Sequence, residues 1–476
     1  MADYEKFANE IIDKAVLAGA LFHQFDQYQT DIIVKKVFQA GFNQRIYLAK
    51  IAADETRLGV WQHKVIKNAA ATLLVYESIK NEKTVGIIAE DEKDGIVEIA
   101  QPLGPIFAVI PVTNPTSTVM FKVLIALKSR NPIIISPPAK AMKCCAETVR
   151  ICYEAALAAG APEDCIQIVP EPNRQLTGYF MSSQRIALIL ATGGTGLVKA
   201  AYSSGNPALG VGPGNVPVFI DVSADIPFSI ENIISSKTFD NGTICASEQA
   251  IVCEDSIYDE VGKELKRQNC YFLNDDEIAR VEKVVYDREK GGMSADVVGQ
   301  PVSVIAGRAG ITVPENTRIL IAPQEQVGAD HPLSQEILAP VLAIYKAKNY
   351  HEAIKICIDL NYLGGIGHTA CIYANDEERI RDFSLLMNAG RIVVNTPSAQ
   401  GAVGGIFNIL PTSLTLGCGS GGKNITTENV TARHLINIQR LCRRRENQSW
   451  LSISPDHLAD DSLNADFFLK EYSKNK

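Results

Sequence analysis

Two short runs, GPIFAVIPV (104–112) and NPIIISP (131–137), are almost purely apolar and are bounded by glycine or proline. A strand with no polar face belongs in a sheet covered on both sides, and such sheets are mostly parallel. The stretches STVMFKVLIALKSR (117–130) and AETVRICYEAALAAGAP (146–162) have helical spacing, and the second ends in Gly160 and Pro162. Strand-like IQIVP and IALILATGG follow, each leading into a helix-compatible segment. Strands alternating with helices predict an open, doubly wound α/β sheet.

The GIIAE and GIVEIAQP runs from residue 86 onward read as strands in this series, and residues 4 to about 80 as a helical entry layer. A second round starts with VPVFIDV near Pro217 and continues through QAIVCED, a helix at 256–268, RILIAP, VLAIYKAK, HTACIYAN and GRIVVN. The 476 residues exceed one ordinary core, and two α/β units joined near 215–235 account for them.

Composition narrows the function classes. A net charge of −8, with Arg443-Arg444-Arg445 the only tight basic run, argues against a nucleic-acid partner. No run approaches the roughly 18 apolar residues of a membrane span. The N-terminus carries acids from its third residue and no basic n-region, so it reads as an amphipathic helix and not a signal peptide. Eleven scattered cysteines, without metal-ligand spacing, suggest a reducing, cytoplasmic setting and no metal site.

Three places can carry chemistry. In LILATGGTGLVKAAYSSG (188–205) an apolar run meets glycines ahead of a helix, either a dinucleotide loop or a tight turn; the G-x-G-x-x-G spacing is absent. In AVIPVTNPTST (108–118) Asn114 precedes Pro115, either as part of a capped helix or with its amide at the carboxyl edge of the sheet, where open sheets bind ligands. In FDNGTICASEQA (239–250) Cys245 is flanked by Gly242, Ala246 and Ser247, which leave room for a substrate to reach a thiol.

Taken in order, VTNPTST, ATGGTGLVKAAYSSG, GVGPGN, KTFDNGTICASEQ, GGIGHTACIY, NTPSAQG and LTLGCGSGGKN resemble the CoA-acylating branch of the aldehyde dehydrogenase superfamily. The resemblance is closest to the acetaldehyde dehydrogenase half of the bifunctional aldehyde-alcohol dehydrogenases and covers residues 5–445. It implies an aldehyde dehydrogenase-like fold: a Rossmann-like NAD-binding domain over 1–220 with a return segment 409–445, a catalytic domain over 221–408, a small bridging or oligomerisation element, and a tail over 446–476. At least a homodimer is implied.

Site roles follow from the same resemblance. Cys245 would be the nucleophile, Asn114 an oxyanion donor, and His368 a proton-handling group. Val109, Ile110, Pro111, Val112, Gly194, Gly212, Glu336 and Leu416 would bind NAD, Glu336 through the ribose hydroxyls. NAD is expected rather than NADP, although Lys140 and Lys143 are candidates to meet a 2′-phosphate. Hydrolytic relatives activate water with a glutamate upstream of the cysteine; here Val211 in LGVGPGN stands in its place, and no acid occurs between 200 and 220. Without that base, coenzyme A is the expected acyl acceptor.

Two departures from the pattern bear on the substrate. Gly421 replaces a tryptophan and Lys423 a glycine, which would widen a pocket wall and add a cation. The resemblance makes acetaldehyde the expected substrate, and these two departures bring in sulfoacetaldehyde or succinate semialdehyde as anionic alternatives; a catalytically inactive binding homologue is the non-enzyme alternative. No iron-dependent alcohol dehydrogenase half lies within these residues, so the aldehyde would leave or pass to a separate alcohol dehydrogenase. The tail, with Phe467, Phe468 and Leu469 clustered, would pack on a subunit or dock to a partner such as a protein shell.

Overall fold

A computed structural model describes residues 2–289 and 291–474. It divides the chain into two compact units, Met1–Glu82 with Pro102–Ile436, and Lys83–Gln101 with Asn437–Lys476.

The first unit opens with the expected helical layer, Ala2–Phe22, Gln27–Asn43, Arg45–Thr56 and Trp61–Ala69. A capping box between Asp26 and Gln29 starts the second of these, because each side chain satisfies a backbone N–H that the helix leaves unpaired. Beyond the layer lies a parallel five-stranded sheet. Its spatial order is Ile166–Ile168, Ile133–Ser136, Ile106–Val109, Leu188–Thr192, Ala208–Val211.

The chain winds outward from Ile106–Val109 in one direction, then returns to its other side with Leu188–Thr192. The carboxyl ends of these two strands form a topological switch point, and the helices there diverge to leave a crevice. Every residue of helix Pro115–Lys128, which leaves this point, is buried. Its one mid-helix charge, Lys122, donates to Val109 O (2.7 Å) and Leu190 O (2.8 Å), one carbonyl from each switch-point strand. Burial lowers this ammonium to about 7.

A second sheet of seven parallel strands runs in the order Cys270–Phe272, Ile319–Gln324, Val341–Ala347, Glu248–Glu254, Val216–Ile220, Gly367–Tyr373, Ala389–Val394. Its central strands, Val216–Ile220, Glu248–Glu254 and Gly367–Tyr373, are buried on both faces, as expected of a covered parallel sheet. Here the structure corrects the expected boundary at 220. Val216–Ile220 pairs with Glu248–Glu254 and Gly367–Tyr373, so the changeover between sheets falls in the turn before Val216. The run VPVFI is equally apolar in either sheet, and only its hydrogen-bond partners decide membership.

The second unit holds a separate three-stranded sheet, Gly86–Asp91, Ile96–Pro102 and Ile436–Cys442, and the short helices Gln448–Leu451, Pro455–Leu458 and Ala465–Ser473. GIIAE and GIVEIAQP therefore do not join the five-stranded sheet. They form an antiparallel hairpin whose first strand is largely exposed on both faces, which their mixed polarity already allows. The return segment is likewise divided, at Ile436. Among the described residues no helix is long and apolar enough to cross a membrane, and no group of three or more His, Cys, Asp or Glu is placed to hold a metal ion.

Candidate active site

Helix Ile226–Thr238 is followed by three residues in the left-handed region, Asp240 (φ 52°), Asn241 (φ 53°) and Gly242 (φ 77°). Asp and Asn tolerate this conformation better than most residues, and glycine is free in it. At Gly242 a Cβ would also come within 3.2 Å of the Ala339 backbone. The tight turn is held by the fully buried Asp240 carboxylate. It accepts from Val60 N (2.7 Å), Lys64 Nζ (3.0 Å), Lys67 Nζ and Thr243 Oγ1 (2.8 Å), while Asp240 N donates to His63 Nδ1 (2.8 Å).

This turn delivers Cys245 to the loop before strand Glu248–Glu254. The carboxyl end of Ala208–Val211 leads to Gly214, where a Cβ would lie 2.2 Å from Cys245 O. The last glycine of GVGPGN thus lets two backbones touch beside the reactive residue.

His368, fully buried at the start of strand Gly367–Tyr373, places Nε2 3.3 Å from Cys245 Sγ and Nδ1 2.9 Å from Thr369 Oγ1. Arg391 anchors this turn by donating to His368 O (2.6 Å) and Gly417 O (2.7 Å). Burial, reinforced by the Arg391 charge, holds the His368 imidazole down at about 3. Burial, then the charges of Glu336 and Cys418, push the Cys245 thiol up to about 12. A neutral thiol therefore faces a neutral imidazole at pH 7.

Cys245 opens onto a cleft of about 960 Å³ at the switch point. Val109, Ile110, Pro111, Val112 and Asn114 line it from one strand end, Gly194 from the other, and Gly212 and Glu336 join them. Val211 lines it too, and Glu336 is the only carboxylate among its described lining residues. Glu336 Oε1 accepts from Gly214 N (2.8 Å), and burial raises its carboxyl to about 7.

The cleft suits a dinucleotide. Cβ atoms built on Gly194, Gly196 and Gly212 would meet nothing within 4 Å, so bare backbone faces the space where a diphosphate would approach the start of helix Thr195–Tyr202. Glu336 supplies an acceptor for hydroxyls.

Other expected residues lie elsewhere. Leu416 is buried with Ile244, Ala246 and Ala402 and is not among the cleft-lining residues. Gly421 and Lys423 sit on a loop closed by Asn424 N donating to Gly419 O (2.8 Å). A Cβ at Gly421 would touch Ile366 Cγ1 at 3.0 Å, and Lys423 is exposed with φ 60°; neither lines this cleft. Lys143 borders a separate depression with Glu55 and Glu147, and the backbone N–H groups of Lys143 and Cys144 donate to Glu55. The exposed Arg174 is the basic residue on the cleft wall.

Sequence patterns missed Lys67, Thr369 and Arg391. Lys67 belongs to the N-terminal helical layer, yet its Nζ lies 2.5 Å from Asn114 Oδ1 and 3.0 Å from Thr243 Oγ1. Its one signal is a lysine repeating at i, i+3 with Lys64 on a helix that is otherwise unremarkable in sequence.

Residues 2–272 and 322–407 match the model of the aldehyde dehydrogenase family. Bifunctional aldehyde-alcohol dehydrogenase AdhE of Escherichia coli is 44% identical over 446 residues, 93% of this chain and 50% of that protein. The chain spans about half the length of such curated relatives. An acetylating succinate-semialdehyde dehydrogenase of Clostridium kluyveri is 38% identical over 91% of this chain and 94% of its own. The crystal structure of an acetylating aldehyde dehydrogenase from Geobacillus thermoglucosidasius superposes with a TM-score of 0.91 at 45% identity, covering 94% of this chain and 98% of that one. With its family model matched over more than half its length, the chain belongs to the aldehyde dehydrogenase family.

Proposed function

We propose that this chain is a CoA-acylating aldehyde dehydrogenase that interconverts acetaldehyde, CoA and NAD⁺ with acetyl-CoA, NADH and a proton. The observation that carries the reading is the lining of the Cys245 cleft, where Glu336 is the only carboxylate among the described residues. Cys245 loses its thiol proton, which leaves as the proton of the overall reaction with His368 Nε2, 3.3 Å from the sulfur, in place to receive it; the sulfur adds to the aldehyde carbonyl, and the oxyanion formed is met by the Asn114 amide and the Cys245 backbone N–H. A well-placed donor of this kind is worth on the order of 3 kcal/mol. Val109–Val112, Gly194, Gly212 and Glu336 would hold NAD⁺, which would supply the hydride acceptor.

Cys245 is then left as a thioester. With Glu336 assigned to the ribose hydroxyls of the cofactor and no second carboxylate among the described lining residues, water lacks a general base, whereas a thiol is nucleophilic enough to displace Cys245 without one. His368 hydrogen-bonds the sulfur and orients it; burial depresses its basicity, so a proton received there is passed on and not kept. The names of the C. kluyveri and Geobacillus relatives, both acetylating, support the acylating branch.

The substrate reading favours acetaldehyde over an anionic aldehyde, because Lys423 is exposed and off the cleft. NAD is the expected cofactor; Lys140 and Lys143 do not line the cleft, and Arg174, which does, is the cation to test for contact with a 2′-phosphate. We read the second unit as the bridging element of a homo-oligomer, the cytoplasm as its place of action, and a separate alcohol dehydrogenase or a protein shell as its partner.

The test is NADH production from acetaldehyde with and without CoA, for wild type and Cys245→Ala. Steady turnover without CoA would overturn the acylating reading, and an active alanine variant would overturn the nucleophile. Replacing acetaldehyde by succinate semialdehyde and by sulfoacetaldehyde ranks the substrates.

A further inference from the structure

The side-chain amide of Asn114 has two orientations of similar shape, and only one presents N–H groups toward the Cys245 loop. In the structure Oδ1 faces Lys67 Nζ at 2.5 Å, and Nδ2 donates to Thr243 O (3.1 Å) and Thr113 Oγ1 (3.1 Å). An ammonium has donors only, so it can meet the oxygen end of an amide and never the nitrogen end. The reversed orientation would set an NH₂ group against the cation and leave a buried ammonium one acceptor short. A charge-assisted bond at Oδ1 also polarises the amide and strengthens its N–H groups as donors.

Lys67 is itself held. It is 6% exposed, and its ammonium also donates to the Asp240 carboxylate and to Thr243 Oγ1. Asp240 is 0% exposed and keeps a left-handed backbone to make these contacts. Gly59 makes room for it, since a Cβ there would lie 2.0 Å from Asp240 Oδ1. Lys64 completes the brace by donating to Asp240 Oδ2 (3.0 Å) and to Thr113 O (3.1 Å), next to Asn114 in the chain. One helix, Trp61–Ala69, therefore ties the loop that carries Asn114 to the loop that carries Cys245.

We propose that Lys67, braced by Asp240, is a positioning residue that fixes and polarises the Asn114 amide for the oxyanion formed on Cys245. The proposal rests on the reading above in which Asn114 serves that oxyanion.

The experiment is a double-mutant cycle on the full chain, reading the first-turnover NADH burst from acetaldehyde. Asn114→Ala is expected to slow the burst about 10²-fold or more, and Lys67→Met about 10-fold or more. The Lys67→Met, Asn114→Ala double variant should be no slower than Asn114→Ala alone, because Lys67 acts through that amide. Lys67→Arg should recover part of the rate.

A double variant slower than Asn114→Ala by the full Lys67→Met factor would overturn the proposal and leave Lys67 a structural residue. An unchanged burst in Asn114→Ala would instead remove the oxyanion reading itself. Should Lys67→Met fail to fold, Asp240→Asn is carried through the same cycle: vanishing of its effect in the Asn114→Ala background supports the brace, and persistence overturns it.

Discussion

His368 Nε2 lies 3.3 Å from Cys245 Sγ, and both groups are uncharged at neutral pH. The pair is therefore not a preformed thiolate–imidazolium couple. Burial raises the energy of both charges together, and the Arg391 guanidinium on the His368 carbonyl adds to the cost on the imidazole side. A protonated thiol is protected from stray electrophiles until a substrate and cofactor change its surroundings.

Alkylation should report this directly. Cys245, pushed up to about 12, is expected to react slowly with iodoacetamide at pH 7, with a rate still climbing at pH 9. Cys442, the exposed cysteine, should be modified first and serves as an internal reference for peptide mass spectrometry. A Cys245 rate that levels off below pH 8 would contradict the neutral-thiol account.

The same histidine should tax stability in acid. Unfolded, it binds a proton near 6.5; folded, it does so only near 3. Between those values the unfolded state holds more protons, so stability falls as the pH drops through that window. From pH 7 to pH 5 the cost is about 2 kcal/mol. Urea unfolding of wild type and His368→Asn at the two pH values should show a variant that is flatter by that amount, and parallel behaviour would reject the idea.

Glu336 should make cofactor binding depend on pH near neutrality. Its carboxyl, raised to about 7 by burial, is half protonated there, and the ionised form is the better acceptor for two hydroxyls. The Kd for NAD⁺ is expected to fall from pH 6 to pH 8 in titration calorimetry. Glu336→Gln should bind more weakly with little pH dependence. Because Lys237 also titrates near 7 beside this carboxyl, persistence of the slope in Glu336→Gln would assign it to that lysine.

Two glycines should respond in opposite ways to a methyl group. Gly214→Ala drives a Cβ into Cys245 O, so both activity and Tm should fall, the activity by about 10-fold or more. Gly194→Ala meets nothing in the cleft wall and should leave Tm unchanged while weakening NAD⁺ binding, since only a bound ligand would feel it. Equal Tm losses in the two variants would mean that Gly194 is a packing residue.

The legible parts of the site share a property. Asn114, Gly194, Gly212, Cys245 and Glu336 each sit at the end of a strand or in a loop with a distinctive local sequence, and all line one cleft. Gly421 and Lys423 were equally visible as departures from a pattern, but a change of residue type says nothing about which way a loop faces. That loop folds against Ile366, with Lys423 in solvent. Lys67 had no local signature, because its partners are 47 and 173 residues away.

By itself, the sequence determined the strands, the helices and the parallel character of both large sheets. Apolar runs of strand length bounded by glycine and proline have few other uses, and these signals are read within ten or so residues. Only the tertiary structure decided that Val216–Ile220 joins the seven-stranded sheet and that GIIAE and GIVEIAQP stand in a unit of their own. It alone joined Lys67, Asp240 and Asn114 around the Cys245 loop. Strand partners and buried ion pairs are chosen by packing between distant segments, where hydrogen-bond geometry and desolvation select one arrangement among many that local patterns allow.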